Sequence, residues 1–449
     1  MEEKKVEELL TKAQKPGKDA MIMHPHYQGK IQLASKCAIR SLDDFAIWYT
    51  PGVAKPCLDI SENPDTVYQH TNKGNMVAVV SDGTRVLGLG DIGPEASMPV
   101  MEGKGLIFKY LGGVDAFPIC LDTKDPDKII ETVLNIQPSF GGINLEDIAQ
   151  PKCFYILDEL RKRARIPIWH DDQQGTAAII YAGLLNAHKL VGKKLEDSRL
   201  VFIGAGAANI RAAHICIAGG FSAENIIMVD SRGILHKGRT ELEKNYKEKW
   251  ELALITNGEQ LTGGAEEAMR GADAVVGASR PGPGTIPPKW IRGMAKDPIV
   301  FPCANPVPEI WPWEAKEAGA VVVATGRSDF PNQVNNSLGF PGIFRGTLDV
   351  RAKTITDGMC IAAAKELAKV AEEKGLREDY IIPSMGEWEV FPREAAAVGM
   401  KAIEEGVAIR TNVTFEQLYK EAEQVIRNAR SSVSMMMREG IIPPAPKGV

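Results

Sequence analysis

In the second half of the chain, apolar residues fall in short runs set between longer polar segments. "RLVFIG", "NIIMVD", "ADAVVGAS", "PIVFPCANP" and "AVVVATG", between 199 and 326, are separated by stretches of helix length. Runs this short suit strands buried on both faces of a parallel sheet. From 75 to 122 the runs "MVAVV", "RVLGLG", "LIFKYL" and "AFPICLD" are broken by glycines, which predicts alternating strands and helices in a compact α/β domain. Residues 127–137 and 152–165 read as amphipathic helices. From 175, "GTAAIIYAGLLNAHKLVGKKL" keeps small and apolar residues at helical spacing up to Gly192 and a lysine pair, a long helix at the joint of two domains. Beyond 350 the spacing is helical again, in "DGMCIAAAKELAKVAEEKG" and "TFEQLYKEAEQVIRNARSSVSMMM", and the tail "GIIPPAPKGV" reads as extended.

Length and charge narrow the classes. A chain of 449 residues is long for one core and predicts two large domains. With 44% hydrophobic and 25% charged residues and a net charge of −5, no excess of Lys or Arg is left for a polyanion, so nucleic acid is not an expected partner. The seven cysteines, at 37, 57, 120, 153, 216, 303 and 360, form no C-x-x-C, which argues against a disulfide framework or a thiolate zinc site and for a reducing compartment. The start, "MEEKKVEELLTKAQKPG", is charged and helical, and no apolar run approaches the roughly 20 residues needed to span a bilayer. The expected location is cytoplasmic, with no membrane partner.

Two glycine-rich stretches compete as a phosphate cradle. In "VLGLGDIGPEAS", Gly88, Gly90 and Gly93 have the G-x-G-x-x-G spacing; in "RLVFIGAGAANIRAAH", Asn209 stands where a third small residue belongs. Context favours the second: a buried strand runs into Gly204 and Gly206, a helix follows from Ala207, and "NIIMVD" ends in an acid, Asp230. The helix N-terminus offers free N–H groups to a pyrophosphate, and Asp230 suits the adenosine ribose hydroxyls, favouring NAD, while Arg232 softens that preference towards NADP. In the first stretch Pro94 follows Gly93 and the preceding strand already holds Arg85, so its glycines need another explanation.

Ionisable groups cluster before residue 180. "GINLEDIAQP" holds Glu146 and Asp147, "RIPIWHDDQQGTA" holds Asp171 and Asp172, and "PVMEGKGLIFK" holds Lys104. Asp171 and Asp172 follow an apolar run and precede a helix, so they project from a strand end toward a crevice, where open α/β sheets bind ligands. Glu146, Asp147 and one of that pair make an all-oxygen site suited to Mg²⁺ or Mn²⁺; helix capping is the plain alternative for such acids. His170 reads as a structural residue, Tyr49 in "IWYTPGVAKP" as a core tyrosine, and Lys104 as a solvated lysine, unless a nicotinamide and a dication stand beside it; its pKa would then be lowered and it would serve as a base.

Together, "YTPGVA", "GLGDIGP", "PVMEGKG", "LEDI", "DDQQGTA", "GAGAAN", "CANPVPE" and "NQVNNSLGFPGIFRG", in this order over roughly residues 20 to 400, resemble the malic enzyme family. That resemblance implies an α/β substrate and metal domain (1–174) and a Rossmann-type, doubly wound NAD(P)-binding domain with C-terminal helices (175–449). It implies oxidative decarboxylation of malate to pyruvate and CO₂ with NAD, or NADP, and Mg²⁺ or Mn²⁺, in a homo-oligomer. By position it makes Tyr49 the acid, Lys104 the base, Asp171 the partner of that base, and Glu146, Asp147 and Asp172 the metal ligands. Arg85, Asn305 and Asn336 match substrate-binding positions; Thr176, Gly204, Gly206, Ala207, Asn209, Asp230 and Asn305 match cofactor-binding ones. The implied chemistry has Lys104 take the C2 hydroxyl proton as hydride leaves for the nicotinamide. The dication polarises the resulting carbonyl during loss of CO₂, and Tyr49 protonates C3.

The chain departs from compact members of that family in "DDQQGT" for "DDQHGT", in the presence of Arg85, in Asn209, and in Trp48 before Tyr49. Two other readings remain at this level: a malolactic-type or related 2-hydroxy acid decarboxylating dehydrogenase, separated by net NADH formation, and a non-catalytic NAD(H)-sensing protein, which has no use for the acid, base and metal set.

Overall fold

A computed structural model describes residues 3–447. After helices α1 (Glu3–Tyr27) and α2 (Ala54–Glu62), the chain enters a four-stranded sheet. Its strands are β1 (Met76–Ser81), β2 (Asp115–Cys120), β3 (Gly142–Leu145) and β4 (Ile168–His170), all parallel, in the order β2-β1-β3-β4. The connections are helices α3 (Pro94–Gly112), α4 (Pro126–Ile136) and α5 (Lys152–Arg163). Val77 to Val80 on central β1 are fully buried, as a strand covered on both faces must be. Asp125 caps α4 by accepting from the Asp127 and Lys128 amides, with Pro126 at the first helical position, where no N–H is missed. One expectation fails: "RVLGLG" is not a strand. β1 ends at Ser81, and Arg85 lies in an 82–93 loop closed by the amides of Ile92 and Gly93 on the Gly83 carbonyl.

A turn of π-helix, Asp171–Gly175, leads from β4 into α6 (Thr176–Leu190). Apolar nearly all round, α6 is buried over most of its length. Its side chains belong to one continuous core that includes Val77–Val80 of the first sheet and Leu200 and Phe202 of the second.

The five apolar runs form the second sheet: β5 (Leu200–Ile203), β6 (Ile226–Asp230), β8 (Ala274–Gly277), β9 (Ile299–Pro302) and β10 (Val322–Val323) are parallel. A short antiparallel edge strand, β7 (Gly233–Ile234), was not foreseen; the order is β10-β9-β8-β5-β6-β7. Along β5 and β6, Leu200, Phe202, Ile226 and Met228 face the large core, whereas Val201, Ile203, Ile227 and Val229 face a smaller one, so both faces are apolar. Helix α7 (Ala207–Ala218) follows β5 directly.

Four helices close the molecule: α8 (Phe340–Asp349), α9 (Asp357–Glu373), α10 (Val390–Glu404) and α11 (Phe415–Arg438). The two expected after 350 are α9 and α11. The unanticipated α10 lies against α8 where Gly342 and Gly346 allow close approach: a β-carbon on either would overlap Glu394 or the Ala395 carbonyl. The described residues after α11 hold no helix or strand; the Pro443 carbonyl accepts from the Tyr27 hydroxyl and the Pro444 carbonyl lies 3.1 Å from His26 Nε2, both on α1. Among the described residues no helix is long and apolar enough to cross a membrane.

Candidate active site

Lys104 lies on α3, buried at 9% exposure, rather than solvated. Its ammonium donates to Asp171 at the end of β4 and, at 3.2 Å, to Oδ1 of Asn336; Glu146 Oε1 is also 3.2 Å away. Phe340, the first residue of α8, presents its ring 4.5 Å from Nζ. Three separate chain regions thus meet on one cation. Asp171 also accepts from Trp169 Nε1 at 3.1 Å, and Gly175 leaves room for it: a β-carbon there would collide with Asp171 Oδ1.

Oxygens of Glu146, Asp147 and Asp172 lie within 4.8 Å of one another. Glu146 is held by Asn144 Nδ2 (2.9 Å), and Asp172 by the Asp147 amide (2.8 Å). Asp147 adopts φ +55°, a left-handed conformation that Asp tolerates better than most residues. That twist fixes its neighbours, because its carbonyl accepts from the Arg85 amide at 2.9 Å, while its own buried Oδ2 has no protein partner. An all-oxygen set with an orphaned carboxylate oxygen fits a hard divalent cation rather than a soft one. Helix capping does not account for the cluster, because Glu146 and Asp147 lie in a loop after β3 and accept no amide bond from a helix's first turn.

Burial dominates the electrostatics of this crowding. It raises the affinity of Glu146, Asp171 and Asp172 for protons against the opposing pull of Lys104, with repulsion from neighbouring acids adding at Glu146 and Asp171, and burial, then Asp172, push Asp147 up to about 8. Burial alone would lower the Lys104 pKa, but Asp171 and Glu146 outweigh it and hold the ammonium above its ordinary value. The lowered pKa expected for this lysine is therefore not a property of the chain by itself. His170 is fully buried and its pKa is pushed down to about 4 by burial; Nδ1 lies 3.6 Å from Asp172.

Arg85 is exposed, and its positive charge lies close enough to Asp147 and Asp172 to favour their ionised forms. Its loop is braced from below: Asp82 pairs with Lys152 and accepts from Thr84, whose hydroxyl accepts in turn from the Ala149 amide.

At the second sheet, Gly204 has φ +98° and passes close beneath the Ala278 carbonyl, Gly206 caps α7, and Ala207 begins it. Asn209 is fully buried and turns inward, donating to the carbonyls of Ile203 (3.1 Å) and Gly204 (2.8 Å), so it holds the glycine turn from behind. Thr176 opens α6 and is half-buried, as is Asn305 at the exit of β9. Asp230 ends β6, but its carboxylate is already engaged by Arg239 (2.7 and 3.3 Å) and Lys249 (3.2 Å). Sequence reasoning missed Arg239 and Lys249 because they lie 9 and 19 residues beyond the acid, in segments without a motif. Asn144 and Trp169 were missed too, although each sits two residues before an acid that it serves, on the same face of its strand.

Tyr49 stands apart. It is 70% exposed, follows a short helical turn at 45–48, and its hydroxyl bonds nothing among the described residues. It is not a core tyrosine. Around it Leu33, Leu42, Ile47, Trp48 and Leu58 are also exposed, and Asp44, held by Arg40, is the only buried residue from 31 to 51.

Comparison with known proteins agrees with this arrangement. Residues 28–161 match the malic enzyme N-terminal domain, and residues 173–403 match the malic enzyme NAD binding domain. The chain is 50% identical over 390 residues to the bifunctional malic/malolactic enzyme of Bacillus subtilis, covering 87% of this chain and 94% of that one. It is 52% identical over 388 residues to the NAD-dependent malic enzyme of Geobacillus stearothermophilus (86% and 80%). The crystal structure of the Entamoeba histolytica malic enzyme superimposes with a TM-score of 0.93 at 50% identity, over 94% of this chain and 88% of that one. With both domain models matched and relatives this similar along most of their length, the chain belongs to the malic enzyme family.

Proposed function

We propose that this protein oxidises malate and decarboxylates the product to pyruvate and CO₂, reducing NAD, with NADP as a second acceptor, and requiring Mg²⁺ or Mn²⁺. The observation that carries the reading is Lys104, buried against Asp171, Glu146 and Asn336 beside the all-oxygen cluster of Glu146, Asp147 and Asp172. A cation held by Glu146, Asp147 and Asp172 would supply Lewis acidity toward a substrate carbonyl, and a dinucleotide whose pyrophosphate is held at the Gly204–Ala207 turn would supply a nicotinamide as hydride acceptor. With the charge of Glu146, Asp147 and Asp172 neutralised, Asp171 alone would oppose burial at Lys104, whose hold on a proton would weaken. Lys104 then takes the proton of the substrate C2 hydroxyl, with Asp171 orienting Nζ, while Arg85 grips a carboxylate through its two-pronged guanidinium. Asn305 and Asn336 are assigned to contact substrate and nicotinamide.

The remaining role, protonation of C3, falls to Tyr49, which in its own chain lies outside the Lys104 cluster. We assign the exposed apolar segment around it to contact with a second copy of the chain, in a homo-oligomer that brings Tyr49 to the other copy's site. The substrate and metal domain spans residues 1–174 and the NAD(P)-binding domain with its C-terminal helices spans 175–449, and the seven unpaired cysteines suit a cytoplasmic location.

The deciding experiment supplies malate, Mn²⁺ and NAD and follows both absorbance of reduced nicotinamide and product. Pyruvate with equimolar NADH is expected. Lactate without lasting NADH would instead make the chain a malolactic enzyme, an activity that appears in the name of its Bacillus subtilis relative.

A further inference from the structure

The 82–93 loop contains the glycine triplet that holds no nucleotide, and the structure gives one of those glycines a different task. Gly88 rests on the exit of β9, on the other side of the cleft. A β-carbon on Gly88 would overlap the backbone carbonyl oxygen of Asn305 and lie 2.9 Å from Pro281 Cγ and 3.2 Å from Pro306 Cδ. Its φ is outside the left-handed range, so glycine is needed here for space alone. Gly90 is the reverse case, with φ +84° and open space around it.

Both sides of this contact are stiff. On the first sheet's side, the Arg85 amide is fixed to the Asp147 carbonyl and the Val86 amide to the Gly90 carbonyl (3.0 Å), closing a tight turn with Gly88 at its tip. On the second sheet's side, Glu309 is fully buried and accepts from the amides of Ser279 (2.9 Å) and Ala304 (3.0 Å), while Arg327 donates to the Pro306 carbonyl at 2.5 Å. Two rigid loops thus touch backbone to backbone. One is tied to the metal acids through Asp147 and carries Arg85; the other carries Asn305.

We propose that Gly88 is a positioning residue: its missing side chain sets the gap between the carboxylate-binding loop and the nicotinamide-side loop, and so the distance over which hydride passes. The inference rests on the functional reading above, in which Arg85 and Asn305 face substrate and cofactor. Hydride transfer needs its two carbons near contact distance, and misplacement by about 1 Å can cost on the order of 100-fold in rate. A methyl group at 88 acts as a wedge there. It removes no side chain from either sheet, from the acids or from the glycine turn at 204–207.

The test compares wild type, Gly88→Ala, Gly88→Val and, as a loop control, Leu89→Ala, whose side chain is exposed. Dissociation constants for NAD and for Mn²⁺ are measured on each protein, together with kcat, KM for malate, the primary isotope effect with malate deuterated at C2, and hydrogen exchange in segments 83–93 and 303–309. For Gly88→Ala we expect kcat down 30-fold or more, Val worse than Ala, and an enlarged isotope effect as hydride transfer becomes limiting. Exchange should speed up in both segments, with NAD and Mn²⁺ affinities within threefold of wild type and Leu89→Ala near wild type. Wild-type kinetics and unchanged exchange in Gly88→Ala overturn the proposal. So does equal damage by Ala and Val accompanied by lost NAD binding, which marks a folding defect rather than a wedge. If wild type leaves malate unchanged, the functional reading fails, while the exchange measurement still decides whether Gly88 couples the two loops.

Discussion

Arg239 clasps Asp230 with both terminal nitrogens of its guanidinium, at 2.7 and 3.3 Å, and Lys249 adds a second cation at 3.2 Å. Burial works to raise the Asp230 pKa, but Arg239, the Arg232 amide and Lys249 together outweigh it, and the carboxylate is held below its ordinary range. An acid that would repel the 2′-phosphate of NADP therefore carries its own neutralising charges. Replacing Arg239 by Ala uncovers it. We expect KM for NADP to rise about tenfold, ~1.4 kcal/mol, and KM for NAD by less than threefold. Initial rates with each cofactor settle this; a parallel rise for both would mean that Arg239 only shapes the site.

Lys104→Ala removes the group on which Asp171, Glu146 and Asn336 converge. Turnover should fall at least 1,000-fold, with NAD affinity, read from cofactor fluorescence, within twofold of wild type. Retained turnover would exclude Lys104 as the base.

Asp147 has its pKa pushed up to about 8, first by burial and then by Asp172. A group whose folded pKa is raised favours the fold at low pH, below its unfolded value, and that contribution is lost as pH climbs through the folded value. Metal-free Asp147→Asn should therefore melt higher than metal-free wild type at pH 8, with the gap closing toward pH 4. Adding Mn²⁺ should reverse the order, raising the melting temperature of the wild type only. Asn also tolerates the left-handed backbone at this position, so the comparison isolates charge.

Glu394 is fully buried on α10 and neither carboxylate oxygen has a partner. Burial alone raises its pKa well above the ordinary value. By the same sign rule its contribution is lost as pH rises above about 4.5. Glu394→Gln should be more stable than wild type at pH 8, by roughly 1–3 kcal/mol, and indistinguishable from it near pH 4. Denaturant titrations at the two pH values measure both ends.

Tyr49→Phe and Lys104→Ala should each be nearly inactive alone. If Tyr49 serves the site of a second copy, mixing the two, with subunit exchange, forms assemblies holding one intact site. Recovery up to about a quarter of wild-type activity is the random-mixing expectation for a dimer. No recovery, with exchange confirmed, would return Tyr49 to its own chain's site or remove it from the reaction.

The elements most readable from sequence were those set by local pattern. The five short runs at 199–326 became strands because both faces of that sheet are apolar, and α4, α5 and α9 followed their spacing. Helix α10 escaped because it begins at Val390 in "VFPREAAAVG", with Pro392 near its start and a buried charge, Glu394, on its apolar face. At the site, the clustering of Lys104 with Asp171 and Glu146 was anticipated from motifs. The charge state of Lys104 was not, since it is fixed by a sum of burial and three neighbours, Glu146 from the loop after β3 and Asp171 and Asp172 from the 171–175 turn. The glycines at 88–93 matched the phosphate-loop spacing without its context. What distinguishes Gly88 is a contact with residue 305, and no local window contains both.

The π-turn at Asp171–Gly175 also sets a phase. An α-helix rotates about 100° per residue, so the number of residues between β4 and α6 decides which way every α6 side chain points. Deleting one residue from this turn would swing Ala177, Tyr181 and Leu184 around the helix axis and pull Asp171 and Asp172 out of step with Lys104. Substitutions can drift elsewhere in α6 as long as volume is kept. The length of this five-residue turn cannot drift, because a single spacing indexes the acids to one sheet and the helix to the core shared by both.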